Sequence, residues 1–94
     1  MEEATFRETL QEQGYDAPSV VELDADKFVT DHAHEFSAYA LIVEGQFTVT
    51  TALGPTTCNA GDTFSLASGT MHSEQAGPQG AKALVGRKFP SAPE

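Results

Sequence analysis

The chain contains three histidines, His32, His34 and His72, and they form its most chemically capable grouping. His32 and His34 stand two apart in an alternating stretch. Successive side chains of an extended strand point to opposite faces, so residues two apart share a face. Two neutral imidazoles on one face can grip a single divalent transition metal; Fe, Mn, Ni, Zn and Cu all accept imidazole nitrogen. Two ligands rarely hold an ion, and His72 is the histidine left to supply the third. Glu74 lies two residues beyond His72 and shares its face. Turned inward, it would be a further ligand, or a general acid or base acting on bound water. Turned outward, it would be a solvated acid near a strand end. Glu35, beside His34, has the opposite parity and reads as a surface acid.

Strands and turns must position these residues. Residues 2–13 read as a short helix: Glu2 and Glu3 suit its positive end, Phe6 and Leu10 make a narrow apolar stripe, and Gly14 stops it. Ser19–Leu23 reads as a strand, and Lys27–His34 alternates with Phe28, Thr30, His32 and His34 on one side. Ala38–Glu44 is apolar on both faces, so both faces must be covered, one by an interior and the other by the helix or a second subunit. Gly45 is expected to break that strand, with Gln46–Ala52 as its partner. Leu53-Gly54-Pro55, Gly61-Asp62, Ser68-Gly69-Thr70 and Gly77–Gly80 are expected turns. Thr56–Asn59, Thr63–Leu66, Met71–Gln75 and Ala81–Gly86 are the remaining strands. Many short strands with Gly and Pro turns and no second helix define an all-β, closed or double-sheet fold. The expected division is 1–17 for the helix and lead-in, 18–88 for a barrel and 89–94 for a disordered tail.

The stretch from Asp26 to Ala76 resembles the cupin superfamily. The first cupin motif is a glycine, five residues, H-x-H, three or four residues, a glutamate, six residues and a glycine. Here Asp26 stands at the first glycine, His32 and His34 match the pair, Ala38 takes the acid position and Gly45 closes the motif. The second motif is a glycine, five residues, P-x-G, two residues, a histidine, three residues and an asparagine. Gly61, Gly69 and His72 match it, while Ala67 and Ala76 replace the proline and the asparagine. The opening segment and Gly77–Arg87 are similar to those of small, stand-alone bacterial cupins.

The resemblance implies a double-stranded β-helix, the jelly-roll or cupin barrel, with a short N-terminal helix. It implies one divalent metal on His32, His34 and His72. Ala38 cannot supply the acid ligand usual in the family, so open positions remain for water or substrate. Three-histidine cupins include thiol dioxygenases. The implied function is a metal-dependent enzyme, of oxygenase or isomerase type, on a small polar metabolite, with Glu74 as its acid or base. The alternative is a non-catalytic module that binds or senses a sugar or organic acid, as the cupin domain of arabinose-type regulators does. Phe28, Thr30, Phe36, Ala38, Ala40, Ile42, Phe47, Phe64 and Met71 are the candidate cavity wall.

Composition narrows the partners. Fourteen acids face five bases, for a formal charge of −9, and eleven of the acids precede residue 45. Lys and Arg never cluster, which argues against nucleic acid and against an anionic membrane surface. No apolar run is long enough to span a bilayer, and the acidic opening lacks the marks of a signal peptide. The single Cys58 rules out an internal disulfide and reads as a packed thiol. The expectation is a soluble, cytoplasmic protein that binds a small molecule. A homodimer is expected from the short chain and the apolar outer face of Ala38–Val43.

Overall fold

The computed structural model describes residues 1–90. One helix, α1 (Glu3–Glu12), precedes six strands: β1 (Ser19–Leu23), β2 (Phe28–His32), β3 (Ser37–Thr51), β4 (Gly54–Asn59), β5 (Thr63–Leu66) and β6 (His72–Lys88). All pairings are antiparallel.

Two long strands organise everything else. β3 and β6 pair along most of their length, from Ser37↔Lys88 to Thr50↔Ser73. The first half of β3 also pairs with β5, and the second half of β6 with β1, so the order there is β1-β6-β3-β5. The second half of β3 pairs with β4, and the first half of β6 with β2, giving β2-β6-β3-β4. Two four-stranded leaves therefore share one bent pair of strands, which is the jelly-roll arrangement. Between them lies a core that includes Ile42, Phe47, Val49, Cys58, Ala76 and Ala83.

The bend revises two sequence expectations. Gly45 does not end a strand, and Gly77–Gly80 does not reverse the chain. Both lie inside continuous strands, where the register shifts between Gly45 and Phe47. Gly45↔Ala81 is followed by Phe47↔Ala76, so β6 spends extra residues on a bulge opposite a short step of β3. The glycines are needed for geometry: Gly45 has φ +74°, and a Cβ there would fall 2.1 Å from the carbonyl oxygen of Gly80. The turn signal in the sequence was real, but the ladder continues through it because both flanks stay paired.

A second bulge reverses a parity. Val29 opposes Glu74 and His32 opposes His72, so β2 carries one more residue than β6 between those pairs. Phe28 therefore loses the face of His32 and is 54% exposed, and Thr30 is exposed as well. Neither lines the interior. β2 ends at His32, and His34 sits in the connection beyond it.

The outer face of the first leaf is covered by α1. Phe6 and Leu10 are fully buried against Leu41 and Leu84, with Tyr15, Tyr39 and Val43 around them. A Cβ on Gly86 would come 2.5 Å from Leu10, so the bare backbone there is the seat of the leucine. Gly14, at φ +80°, ends the helix, and the Lys88 ammonium donates to the Gln13 carbonyl at 2.8 Å. Because α1 covers this face within the chain, the apolar flank of Ala38–Val43 no longer supplies a reason for a homodimer. Of the expected tail, residues 91–94 lie outside the described residues. Phe89 is placed, with its ring 5.3 Å from that of Phe36.

Candidate metal centre

The histidines reach one another from two places in the chain. His32 ends β2 and His72 begins β6, directly opposite in register. His34 follows β2 and stacks on Phe36, with centroids 4.6 Å apart and planes at 15°. The Gly69 amide donates to the His34 carbonyl at 2.8 Å, which ties the turn before His72 to the backbone of the first pair. Ring centroids lie 4.3 Å apart for His32–His72, 4.8 Å for His32–His34 and 5.3 Å for His34–His72.

The motif glycine positions explain how the chain makes these approaches. Gly45, Gly61 and Gly69 all have positive φ. Asp26, at the first glycine position, has φ +59° and is the sole non-glycine among the described residues to do so. Asp tolerates this left-handed conformation better than most side chains, so the replacement keeps the turn.

Two hydrogen bonds set the tautomers. Nδ1 of His32 lies 2.8 Å from the Thr30 carbonyl, and Nδ1 of His72 lies 2.9 Å from the Thr70 carbonyl. A carbonyl only accepts, so each Nδ1 carries the proton and donates it. In the neutral rings the Nε2 lone pairs are then bare. This carbonyl support is the usual backing of a metal-binding histidine. Burial first, and then the neighbouring His32 and His72, push His34 below its ordinary value, which favours its neutral, ligating form.

Glu74 points into the cluster. Its Oε1 is 3.0 Å from Nε2 of His32 and 3.6 Å from Nε2 of His72. With both rings neutral, these are acceptors facing an acceptor. Such an arrangement is unfavourable unless a proton or a cation lies among them. The donor set fits a divalent ion on that ground: the ligand atoms of His32, His34 and His72 all lie within 4.8 Å of one another. Two nitrogens bound at ~2.1 Å from one ion are at most ~4.2 Å apart, so side-chain torsion alone can close the difference.

The cluster opens on a cavity of about 210 Å³. Phe36, Ala38, Phe47 and Phe64 line it, as the sequence suggested. Ala40 and Ile42 are fully buried core instead, and Met71 is 58% exposed. Val21, Leu66, Ala83, Val85 and Arg87 complete the wall. Sequence reasoning missed Arg87. The available signal was the alternation Ala83, Val85, Arg87, which puts a lone cation in line with two small apolar side chains. Cys58 is buried, and burial pushes its thiol up, away from nucleophilic use.

No protein-family model and no curated protein matches the chain. Solved structures do. The Cnp3 cupin domain of Schizosaccharomyces pombe is 14% identical with a TM-score of 0.71, over 81% of this chain and 60% of that one. An RmlC-like cupin from Shewanella frigidimarina is 24% identical with a TM-score of 0.65, over 79% of this chain and 68% of that one. Bacillus subtilis oxalate decarboxylase, described with Mn(II) centres, is 26% identical with a TM-score of 0.68, over 79% of this chain but 21% of its own. The chain thus spans only part of each of these proteins. Two leaves sharing a bent strand pair, positive φ at the motif glycine positions and these likenesses agree: the chain has the fold of the cupin superfamily.

Proposed function

We propose that the protein is a metal-dependent cupin enzyme acting on a small polar metabolite, with one divalent transition metal held by His32, His34 and His72. One observation carries this reading: two carbonyl-backed Nε2 lone pairs and a carboxylate oxygen converge within 3.0–3.6 Å. Fe, Mn, Ni, Zn and Cu are the candidates. When bound, such an ion supplies Lewis-acid polarisation of a substrate oxygen.

The chain's own residues do the rest. Thr30 and Thr70 carbonyls hold two of the imidazoles in the ligating tautomer. Phe36 fixes the plane of His34. Glu74 is the group placed to take a proton from a bound water or substrate and return it, which makes it the acid or base. Oxygenase-type and isomerase-type chemistry both suit this arrangement, because fold and ligands do not select between them.

A second reading rests on the Glu74–His32 contact. At 3.0 Å a shared proton satisfies the pair without any ion, and the cavity is then that of a non-catalytic sugar- or acid-binding module. The same proposal takes the protein as cytoplasmic, where a lone free thiol is at home, and, on the ground of its short chain alone, as a homodimer, which light scattering at micromolar concentration tests.

Metal analysis of freshly purified protein tests the main reading. Near-stoichiometric transition metal, removable by chelation and restored by one added equivalent, is the expected result. Protein that neither retains nor rebinds Fe, Mn, Ni, Zn or Cu, yet binds a small sugar or acid, favours the module.

A further inference from the structure

We propose that the cavity is selective for a small organic carboxylate, with Arg87 as its anchor. This rests on the reading of the cavity as the ligand site, but it adds the substrate class and the residue that sets it.

The cavity wall carries two formal charges, Glu74 and Arg87. Glu74 is turned to His32 and His72. Arg87 is partly buried, and among the described residues it forms no ion pair with a carboxylate. Its Nη1 donates to Ser19 Oγ at 3.0 Å, and its guanidinium carbon lies 5.3 Å from the centroid of Phe36. These contacts hold the head in place from one side and leave most of its five N–H donors without a protein acceptor. An arginine fork held in this way matches a carboxylate in two parallel hydrogen bonds.

Register shows why there is room. Arg87 is the cross-strand partner of Ala38, the residue at the acid position of the first motif. Side chains directly opposite on antiparallel strands have Cβ atoms only about 5 Å apart. An acid at position 38 would fall beside Arg87 and neutralise it. The methyl of Ala38 leaves the guanidinium free and the space next to it empty. A carboxylate must then come from the ligand.

Charge and size narrow the class further. The chain carries −9 overall and has only five bases, so long-range attraction does not draw anions to it. One of those five bases stands in the cavity wall, so the preference is local. A cavity of 210 Å³ is smaller than the ~300–1,000 Å³ typical for drug-sized ligands. Its remaining wall is mostly aliphatic and aromatic, which suits a short carbon skeleton better than inorganic phosphate.

Calorimetric titration of the full chain with malonate, malonamide and inorganic phosphate tests this, in zinc-loaded and in chelator-treated protein. Malonate should bind at least about tenfold more tightly than its neutral amide or phosphate, as expected where a charge-assisted pair is at stake. Arg87→Gln should weaken malonate by a factor of about ten to a hundred, leave malonamide unchanged and leave zinc content unchanged. Arg87→Lys should retain part of the affinity. If Arg87→Gln fails to fold by circular dichroism, Ala38→Asp serves instead, read in chelator-treated protein because position 38 is also where the family's acid ligand stands: its carboxylate should occupy the fork and expel malonate. Equal affinity for malonate and malonamide, tighter phosphate, no malonate binding at all, or malonate affinity unaffected by Arg87→Gln or Ala38→Asp overturns the proposal. Zinc retention without this discrimination removes the carboxylate assignment and spares the metal reading. Discrimination through Arg87 in protein that holds none of Fe, Mn, Ni, Zn or Cu does the reverse.

Discussion

The two faces of the first half of β3 and the second half of β6 show a division of labour. The outer face, under α1, is dry and complementary: Phe6 and Leu10 leave no exposed surface, and Gly86 is bare so that Leu10 can sit on it. The inner face carries Ala38, Ala83, Val85 and Arg87 and encloses a cavity. Close packing lowers free energy but leaves no place for a ligand. Small side chains forgo contacts and leave room for one. The same two strands, by alternation alone, thus present a packed face to α1 and a cavity wall to the interior.

This contrast can be broken from either side. On the inner face, His72→Ala should abolish metal retention, read by elemental analysis, while the circular dichroism spectrum keeps its strand signature. Loss of the fold together with the metal would show that the two faces are not separable. On the outer face, Phe6→Ala should cost about 3–5 kcal/mol of unfolding free energy, measured by urea titration, with metal per folded molecule unchanged. Gly86→Ala should cost about 1–3 kcal/mol, because its Cβ would press on Leu10 and force a shift. If Gly86→Ala is neutral, α1 is more loosely seated than the geometry shows.

The smallest expected effect is a pH dependence. His34 titrates below its ordinary value of 6.5 in the folded chain because burial, and then His32 and His72, disfavour its charged form. The unfolded chain therefore binds this proton more readily. The stability of metal-free protein should be unaffected by this group above pH 6.5 and should fall as the pH drops from there through the folded value. His34→Gln should flatten that part of the curve. Metal should be released over the same acid range, since a protonated imidazole has no lone pair to offer. An identical slope in wild type and His34→Gln would remove His34 as the source.

Much of the site was legible. Spacing of two put His72 beside Glu74, because strand parity is a local property; His32 and His34 also come together, although β2 ends at His32 and His34 lies in the connection beyond it. Parity over longer stretches failed wherever a bulge intervened. Phe28 and Thr30 were placed inside by counting back from His32, but one extra residue in β2 turned Phe28 outward. Met71 was misplaced because the strand begins only at His72. Gly77–Gly80 carried a turn signal that the ladder overrode, since paired flanks on both sides make reversal costlier than a bulge. Arg87 escaped notice because the alternation Ala83, Val85, Arg87 gives its face but not that this face borders a cavity.

By itself, the amino-acid sequence determined the helix, the short paired segments and most of the alternation within them, and the residue types able to bind a metal. These depend on neighbours within a few positions, where backbone sterics and side-chain alternation govern. The tertiary structure alone decided that β3 and β6 run on through their glycines. It also decided that Oε1 of Glu74 meets His32 and His72, and that Ala38 lies opposite Arg87. Those facts depend on register between distant strands, and register is settled by how all the faces bury together.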